Sequence, residues 1–427
     1  MKKTWLIFNV FLVVTGLMIG SVSCKKSSDS SSVTFNLSGL VTLLAGGTID
    51  MNGAAAPTNI PTNPTIVATF TVAVNASSVN SNTVILVNTL DNSTIPLTLT
   101  PSGNTITIVP VSALGTGTPF TLKLNGVQST DGQTISGMTR NFSTIGPYAP
   151  SGAIAYWSFE DNANDQIGTF NPKADGIVAI TYAGSFNALA GKCAVFNGTT
   201  SIIEIPNGDQ LSNTADFSLC FWVKTNSVGH VDASGNPKGH FVIGLGAYYG
   251  FQFEINGSYA ECKLAAQYNN GTGGSFSDDL PFNGDGKTKD NGGWQGCTFC
   301  KDLSGSGGVE SLLKDKWAFV VYNFDHTTKC ATIYLNGEKM KVYDFNFWPV
   351  GDPKTGASGL IWAGKAPDVL PELAFGFVQS RGGTMWANET WGGYQFPTAN
   401  HFGGSLDEVR IYHRTLTETE IAAMYKP

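Results

Sequence analysis

The segment Ser405–Tyr425, SLDEVRIYHRTLTETEIAAMY, carries two adjacent acids, Asp407 and Glu408, inside an apolar stretch near the end of the sequence. From Leu406 to Tyr412 the apolar residues alternate in the pattern of a β-strand. Successive side chains of a strand point to opposite faces, so two neighbouring acids cannot reach one substrate together. The pattern therefore predicts a structural strand and not a catalytic pair of carboxylates.

The alternation assigns the two acids to different surroundings. Asp407 shares a face with Val409 and Ile411, and we expect that face to be partly buried. A buried carboxylate needs backbone N–H groups, a cation or a metal as its partner. Glu408 and Arg410 lie on the other face, where we expect solvent and charged neighbours on adjacent strands.

A short helix is predicted directly after this strand. Thr417 and Glu420 have the spacing of a capping box, and Leu416 and Ile421 have the spacing of a hydrophobic staple. The whole segment is thus interpreted as a strand and a helix that close a fold.

The composition of the chain favours an all-β protein. Among 427 residues there are 50 glycines, 13% are charged and 11% are aromatic, and no long helical periodicity precedes the last residues. A length of this size accommodates two or three domains. The net charge of −7 argues against a nucleic-acid partner that is bound through its phosphates.

The first residues have the pattern of an export signal. Two lysines precede an apolar run, and small residues lead to Cys24, so residues 1–23 are predicted to be a signal peptide. GSVSC is similar to a bacterial lipobox, although Ser21 stands where that motif usually has leucine, and an ordinary signal peptide cut elsewhere is the alternative. Residues 24–33 are expected to form a polar, flexible tether.

The layout of this N-terminus resembles surface lipoproteins of the Bacteroidetes type. The resemblance implies a lipid on Cys24, anchoring in the outer membrane and exposure at the cell surface.

Six cysteines remain in the part of the chain that follows the tether. An even number in an exported protein favours disulfides over free thiols, although the connectivity cannot be deduced from the sequence. Cys297 and Cys300 also have the spacing of a redox or zinc motif, which is the alternative for this pair. The six residues are Cys193, Cys220, Cys262, Cys297, Cys300 and Cys330.

Residues 34–147 form short β segments that are separated by turns, and they contain no His, Cys or Trp. The order of TFTVAVNASSVNSNTVILV, ITIVPVSALGTGTPFTLKL and NFSTIG resembles a bacterial immunoglobulin-like domain. The resemblance implies an Ig-like β-sandwich that acts as a spacer. The linker GPYAPSG then leads to residues 152–427.

Five ordered segments of residues 152–427 resemble laminin-G-like, concanavalin A-like domains. This resemblance implies a jelly-roll β-sandwich with a short C-terminal helix, and Ser405–Tyr425 would supply its last strand and helix. The segments are YWSFEDNANDQIG, AVFNGTTSIIEIP, DFSLCFWVKT, KWAFVVYNFD with ATIYLNGE, and FGGSLDEVRIYHRTLTETEIAAMY.

Catalytic patterns are missing from the sequence. Glycan-cleaving jelly rolls carry acids at alternate strand positions, and this spacing is absent outside the predicted helix. The pairs Asp278–Asp279 and Glu160–Asp161 are assigned to turns. There is no nucleophile elbow and no phosphate loop. We therefore predict that the protein is not an enzyme, with a glycoside hydrolase of unfamiliar arrangement as an alternative.

The resemblance also implies a structural calcium ion near the first turn and the last strand of the jelly roll. The residues that correspond to this site are Asp165 and Asp407, and carboxylate oxygens suit calcium. In the alternative interpretation, Asp165 caps its own turn and Asp407 accepts backbone N–H bonds.

Two insertions depart from the short form of the jelly roll. Residues 345–402 contain MWANETWGGYQF, in which Trp386, Trp391 and Tyr394 stand among small polar residues, and residues 268–312 contain Trp294. Flat aromatic faces beside amides and hydroxyls suit sugar rings. We therefore predict a glycan-binding platform from these four aromatics, whereas in the alternative they only pack a long loop.

These observations predict a surface lipoprotein that binds a glycan or polysaccharide without catalysis. One alternative is a structural or adhesive protein with a protein partner, and the other is the hydrolase. Jelly rolls serve many functions, so the identity of the ligand cannot be deduced from the sequence.

Overall fold

The structure is a computed structural model that describes residues 33–53 and 55–425. The predicted signal peptide and the predicted lipidation site Cys24 lie outside the described residues. Strands dominate, and two α-helices are present in the described ranges, α1 (Glu310–Leu313) and α2 (Glu418–Tyr425). The prediction of an all-β fold is confirmed. Neither of the described helices has the length and apolar character required to span a membrane.

Nine strands form two sheets in the N-terminal part of the chain, and the paired strands run antiparallel. Strands β2-β1-β3-β7-β6 make one sheet, and β5-β4-β8-β9 make the other. Their bounds are β1 Leu37–Leu44, β2 Gly47–Asp50, β3 Thr65–Phe70, β4 Val84–Asn88, β5 Thr94–Ile95, β6 Leu97–Ser102, β7 Thr105–Pro110, β8 Pro119–Leu124 and β9 Met138–Ser143.

A core between these two sheets follows from the alternation of apolar residues. In β3 the residues Ile66, Ala68 and Phe70 are buried, whereas their neighbours are half-buried. Phe120 of β8 and Phe142 of β9 stack at 5.5 Å in the same core. One apolar face of each sheet is thereby removed from water.

The remaining strands form a second, larger β-sandwich. Their bounds are β10 Ala155–Trp157, β11 Ile177–Val178, β12 Thr181–Gly184, β13 Lys192–Asn197, β14 Ile202–Ile205, β15 Phe217–Thr225, β16 His240–Gly244, β17 Phe251–Ile255, β18 Cys262–Asn269, β19 Ser275–Phe282, β20 Cys297–Cys300, β21 Trp317–Asp325, β22 Cys330–Leu335, β23 Glu338–Asp344, β24 Gly359–Leu360, β25 Leu373–Phe375 and β26 Gly403–Tyr412.

Two antiparallel sheets face each other in this sandwich. The nine-stranded sheet has the order β12-β13-β26-β15-β21-β22-β23-β20, with β10 also paired to β26. The eight-stranded sheet has the order β11-β14-β25-β16-β17-β18-β19, with β24 paired to β18. An apolar cluster fills the space between them, and Trp157 packs there edge-on against Phe375 at 5.0 Å.

Strand β26 lies in the interior of the nine-stranded sheet, as the predicted closing strand requires. One of its edges pairs with β15 from Gly404 to Tyr412. Its other edge pairs with β13 over residues 403–406 and with β10 over residues 409–411. The last strand of the sequence thus holds the first strands of this sandwich in place.

A β-bulge in β26 corrects the predicted faces. Cys220 pairs with Arg410 and Trp222 pairs with Asp407, so β26 has one residue more than β15 between these pairs. Glu408 occupies this position with a φ of 52°. Such a bulge shifts the alternation by one residue. Leu406, Val409 and Ile411 consequently share the inner core, and Asp407 lies on the opposite face from the one predicted.

The expectation that Glu408 and Arg410 face solvent is wrong, because both side chains are buried. Arg410 Nη2 lies 2.5 Å from Glu408 Oε2, and Tyr156 donates its hydroxyl to Glu408 Oε1 at 2.8 Å. The guanidinium also stacks over the Tyr156 ring at 3.7 Å and donates to Thr116 of the N-terminal sandwich at 3.1 Å. Contact with the first sandwich removes this face from water.

Helix α2 begins with the predicted capping box. The Glu420 N–H donates to Thr417 Oγ1 at 3.2 Å, and the Thr417 N–H donates to Glu420 Oε2 at 2.8 Å. Ile421 and Met424 of the helix are buried on the outer face of the nine-stranded sheet, together with Tyr412. The helix therefore covers apolar surface that β26 and its neighbours would otherwise expose.

The structure differs from the prediction of disulfide staples, since all six cysteines of the described residues are free thiols. Cross-strand register separates them: Cys193 pairs with Ala183, Cys262 with Ile255 and Phe282, and Cys330 with Asp325 and Asp344. Burial raises the pKa of the Cys220 thiol to about 12 and that of Cys297 to about 11, which disfavours the reactive thiolate.

Replacement of Arg410 by alanine tests the buried ion pair. The change leaves the Glu408 carboxylate buried without its cation, so we expect a loss of about 3–5 kcal/mol in the free energy of unfolding. Denaturant unfolding measures this loss. Lys314→Ala serves as the control, because it breaks an exposed ion pair with Glu310 and should change the stability little. If the two substitutions lowered the free energy of unfolding equally, the assignment of Glu408 and Arg410 as a stabilising buried ion pair would be contradicted.

Candidate functional site

The outer face of the eight-stranded sheet carries a row of polar side chains. In β17 the residues Phe251, Phe253 and Ile255 point into the core, and Gln252 and Glu254 therefore point outward. Strand β18 follows the same rule, with Lys263 and Ala265 outward and directly opposite Glu254 and Gln252. Three neighbouring strands, β16 to β18, form the floor of the site.

The segment between β25 and β26 crosses this floor and supplies two tryptophans. The ring centroids of Trp386 and Trp391 are 6.3 Å apart with an interplanar angle of 50°. Trp391 also meets Phe241 of β16 edge-on at 6.0 Å. Asn400 fixes the segment, because its N–H donates to the Trp391 carbonyl and its side chain accepts from the Gly239 N–H.

The floor and the crossing segment enclose a cavity of about 280 Å³. One wall is aromatic and apolar, and the other consists of amide, carboxylate and ammonium groups. Such a combination of apolar surface with a few fixed polar groups is typical of small-molecule sites. The cavity is lined by Phe241, Ala247, Tyr248, Gln252, Glu254, Lys263, Ala265, Val378, Trp386, Trp391 and Asn400.

A network of hydrogen bonds and ion pairs fixes the polar wall. Lys263 Nζ lies 3.2 Å from Glu254 Oε1 and 3.3 Å from Asp279 Oδ2. Gln252 donates to Glu254 Oε2 at 2.5 Å, and the Tyr248 hydroxyl donates to Asp279 Oδ2 at 2.8 Å. These side chains are held in position before any ligand arrives.

Burial and neighbouring charges have opposing effects on the pKa values of Glu254 and Lys263 in this wall. Burial raises the pKa of Glu254, although the Lys263 ammonium opposes the shift. Burial would lower the pKa of Lys263, but the charges of Glu254 and Asp279 outweigh it and raise that pKa. Burial and the bond to Asp279 raise the pKa of Tyr248 to about 12. Lys263 and Tyr248 are therefore hydrogen-bond donors at neutral pH.

The structure brings together two of the four predicted platform residues. Trp386 and Trp391 line the same cavity, and Trp391 as a residue is 41% exposed. Tyr394 lies beside them but packs edge-on against Phe377 and His401, and its hydroxyl donates to the Thr200 carbonyl. Trp294 lines a separate cavity. The contacts of Tyr394 are therefore those of the alternative interpretation, in which the aromatic residue only packs the loop.

The polar wall of the cavity was not predicted from the sequence. Asp278–Asp279 was assigned to a turn, but both residues belong to strand β19, so this assignment is wrong. The alternation in FQFEI identifies Gln252 and Glu254 as outward residues of a strand. Lys263 lies opposite Glu254 across the hairpin of β17 and β18, nine residues further along the chain, and Asn256-Gly257 at the start of the turn is the local signal that could have located this contact.

The two residues predicted to bind calcium accept hydrogen bonds from the chain itself. Asp165 Oδ1 accepts from the N–H groups of Tyr156 and Ile167, and its Oδ2 accepts from those of Thr169 and Phe170, all at 2.9–3.0 Å. These are the bonds expected if Asp165 caps its own turn. Because backbone N–H groups occupy both carboxylate oxygens, these oxygens do not fit a set of calcium ligands. Calcium binding by the chain stays a prediction.

Asp407 is also satisfied within the protein. Its carboxyl accepts from the Ser185 hydroxyl and, at 2.8 Å, from the Glu408 N–H. A different group, Asp216, Asp325 and His326, has metal-ligand spacing among the described residues. In that group the His326 N–H and ring nitrogen already contact Asp216 at 3.0 and 2.8 Å.

Comparison with known proteins supports the assignment of the N-terminal sandwich. Residues 48–144 match the family of bacterial Ig-like domains (Big_5). This range covers most of strands β2 to β9. No curated protein matches the chain.

Solved structures that are similar to part of this chain include binding domains of other proteins. The binding domain of Paraclostridial Mosquitocidal Protein 1 has a TM-score of 0.40 and 13% identity, over 64% of this chain and 52% of that chain. The receptor-binding domain of botulinum neurotoxin type G has a TM-score of 0.37 and 15% identity, over 64% and 51%. The chain thus spans about half the length of these toxin domains.

Domain 4 of AbnA, an extracellular arabinanase of Geobacillus stearothermophilus in complex with arabinotriose, has a TM-score of 0.36 and 18% identity. The match covers 64% of this chain and 98% of that domain. Similarities of this size do not define a function, which therefore has to be inferred from the site of this chain.

Replacement of Asp407 by asparagine should change the pH dependence of stability. Burial and the Glu408 charge raise the pKa of Asp407 to about 9, far above its value of about 4 in an unfolded chain. Its contribution to stability is complete below pH 4 and is lost as the pH rises toward 9. Asparagine mimics the protonated form, so the variant should be more stable than the wild type at pH 8.

Unfolding in denaturant at pH 5 and pH 8 measures this difference. The advantage of Asp407→Asn over the wild type should be larger at pH 8 than at pH 5. A pH-independent difference between the two proteins would contradict the shifted pKa.

Proposed function

We propose that this protein binds a carbohydrate at the cavity between the eight-stranded sheet and the segment that carries Trp386 and Trp391. The observation that carries the proposal is the opposition of exposed aromatic surface to a prearranged polar wall within one cavity. The C–H faces of a sugar ring pack on an aromatic ring, while its hydroxyls need hydrogen-bond partners. Both requirements are met here by side chains from different elements.

Each part of the polar wall suits a hydroxyl group. Lys263 donates, the Glu254 carboxylate accepts, and the amides of Gln252 and Asn400 do both. A sugar that enters exchanges bonds to water for bonds to fixed groups, so little side-chain ordering is required. With two tryptophans and one open cavity, we expect affinities on the order of micromolar to millimolar.

A glycoside hydrolase is a second candidate, and a specific observation favours it. Glu254 lines this cavity, Asp279 contacts the same Lys263, and burial raises the pKa of Glu254, as a general acid requires. Lys263, however, lies between the two carboxylates and bonds to both. The space that a glycosidic bond would need between them is therefore occupied. Release of reducing sugar that is lost in Glu254→Gln would establish the hydrolase, and binding without release supports a lectin-type function.

We also propose that a lipid on Cys24 anchors the protein at the outer surface of a bacterial cell. The sequence of residues 1–33 supports this proposal. Cys24→Ala should release the protein from the membrane fraction or leave its signal peptide uncut. Fractionation and mass determination test it, and normal membrane retention of the variant would refute lipidation.

The central test of glycan binding is the substitution Trp391→Ala. The variant removes the most exposed aromatic face of the cavity, so polysaccharide binding should fall below detection. The thermal midpoint should stay close to that of the wild type, because Trp391 is a partly exposed residue (41%). Affinity electrophoresis against a polysaccharide panel measures binding, and a thermal melt measures stability.

Phe299→Ala is the matched control, since Phe299 is 40% exposed and lines neither cavity. It should bind like the wild type. Unfolding of Trp391→Ala would show that this ring is part of the core. A stable Trp391→Ala variant that still binds would place the site elsewhere.

A further inference from the structure

A second cavity of about 390 Å³ lies at the edge of the eight-stranded sheet, beside the first. Its walls come from β19, from the segment after it and from β23 of the opposite sheet. It is lined by Asp278, Asp279, Pro281, Asn283, Asp285, Lys287, Gly292, Gly293, Trp294, Lys341 and Tyr343.

Trp294 presents an open aromatic face to this cavity, with 62% of the residue exposed. It lies in the segment of residues 268–312, which the sequence analysis identified as an insertion. An exposed tryptophan is costly to leave in water, and its position beside polar groups resembles that of Trp391 in the first cavity.

Lys341 supplies an unused donor. Only 6% of this residue is exposed, and its Nζ forms no hydrogen bond or ion pair with any residue in 33–53 or 55–425. Its Nζ lies over the Tyr343 ring, 5.4 Å from the ring centroid. The stem of Lys341 is thus buried while its ammonium group lines the cavity without a partner, so the head group is available to a ligand there.

Asp279 supplies a carboxylate, 28% exposed, and connects the two cavities. Its Oδ2 accepts from Tyr248 and Lys263 of the first cavity, whereas its Oδ1 is buried and has no partner among the described residues. Asp279 pairs directly with Ala265, so both side chains face the same side of the sheet. Strands β17 and β19 are about 10 Å apart, with β18 between them.

The Lys341 ammonium group and the Asp279 carboxylate line the same cavity and together select the chemistry of the ligand. An anionic ligand would be attracted by Lys341 but repelled by Asp279. A cationic ligand would be attracted by Asp279 but repelled by Lys341. A hydroxyl group both donates and accepts, so a neutral polyhydroxyl chain satisfies the two groups at once.

Charges along both cavities are balanced as well, which favours a neutral ligand. Four carboxylates and three lysines line the two cavities, and a fourth lysine, Lys354, binds Asp278 at 2.9 Å. The carboxylates are Glu254, Asp278, Asp279 and Asp285, and the lysines are Lys263, Lys287, Lys341 and Lys354.

We propose that the cavity of Trp294 and Lys341 is a second glycan subsite, and that the two cavities together bind one linear, neutral polysaccharide chain along the outer face of β17 to β19. This inference rests on the proposed glycan binding at Trp391. Asp279 contacts the chain between the two aromatic platforms. A ligand of several sugar units therefore binds more tightly than a disaccharide does.

The test uses glucan, xylan and mannan oligosaccharides of two to six sugar units, with calorimetry on the full-length protein. For the wild type, affinity should rise with chain length for the sugar that binds. Trp294→Ala should lower the affinity for the hexasaccharide by about tenfold or more and leave that for the disaccharide unchanged. Lys341→Met, which keeps the buried stem, should act in the same direction, whereas Phe299→Ala should have no effect.

Each other outcome overturns a defined part of the account. If Trp294→Ala binds every chain length like the wild type, the second subsite is refuted while glycan binding at Trp391 stands. If oligogalacturonates bind more tightly than all neutral chains, the neutral ligand class is refuted. If the wild type binds no oligosaccharide, the proposed function fails, and the extended site fails with it.

Discussion

The hydrogen bonds on both edges of strand β26 organise the larger sandwich. One edge pairs with β15, and the other is shared between β13 and β10, so residues far apart in sequence become neighbours in one sheet. The change from β13 to β10 coincides with the bulge at Glu408. This extra residue places Glu408 beside Arg410 and Tyr156 and brings the guanidinium to Thr116 of the first sandwich. Strand pairing and the buried ion pair are consequences of the same local geometry.

The location of the candidate site follows from this architecture. The nine-stranded sheet covers its outer face with helix α2 and with the region around Arg410. On the eight-stranded sheet, the segment between β25 and β26 covers only part of the outer face. Trp386 packs partly against the apolar cluster there, and the polar residues of β17 and β18 stay accessible beside it. A cavity with one aromatic and one polar wall results.

Local patterns predicted much of the fold. The all-β class and the capping box of Thr417 and Glu420 depend on residues close in sequence, and the structure has them. The bulge at Glu408 was missed, because it depends on register with β15. The contacts of Lys263 with Glu254 and with Asp279 were missed, because side chains of three different strands form them. For the same reason, the aromatic residues could be recognised as candidates but their division between two cavities could not.

A crystal structure with a bound neutral oligosaccharide tests the central claim most directly. The account predicts a sugar ring stacked on Trp391, with hydroxyl groups within hydrogen-bond distance of Glu254 and Lys263, and a chain that continues past Asp279. A saccharide bound on another face of either sandwich, with the cavity at Trp391 filled by water alone, would contradict it.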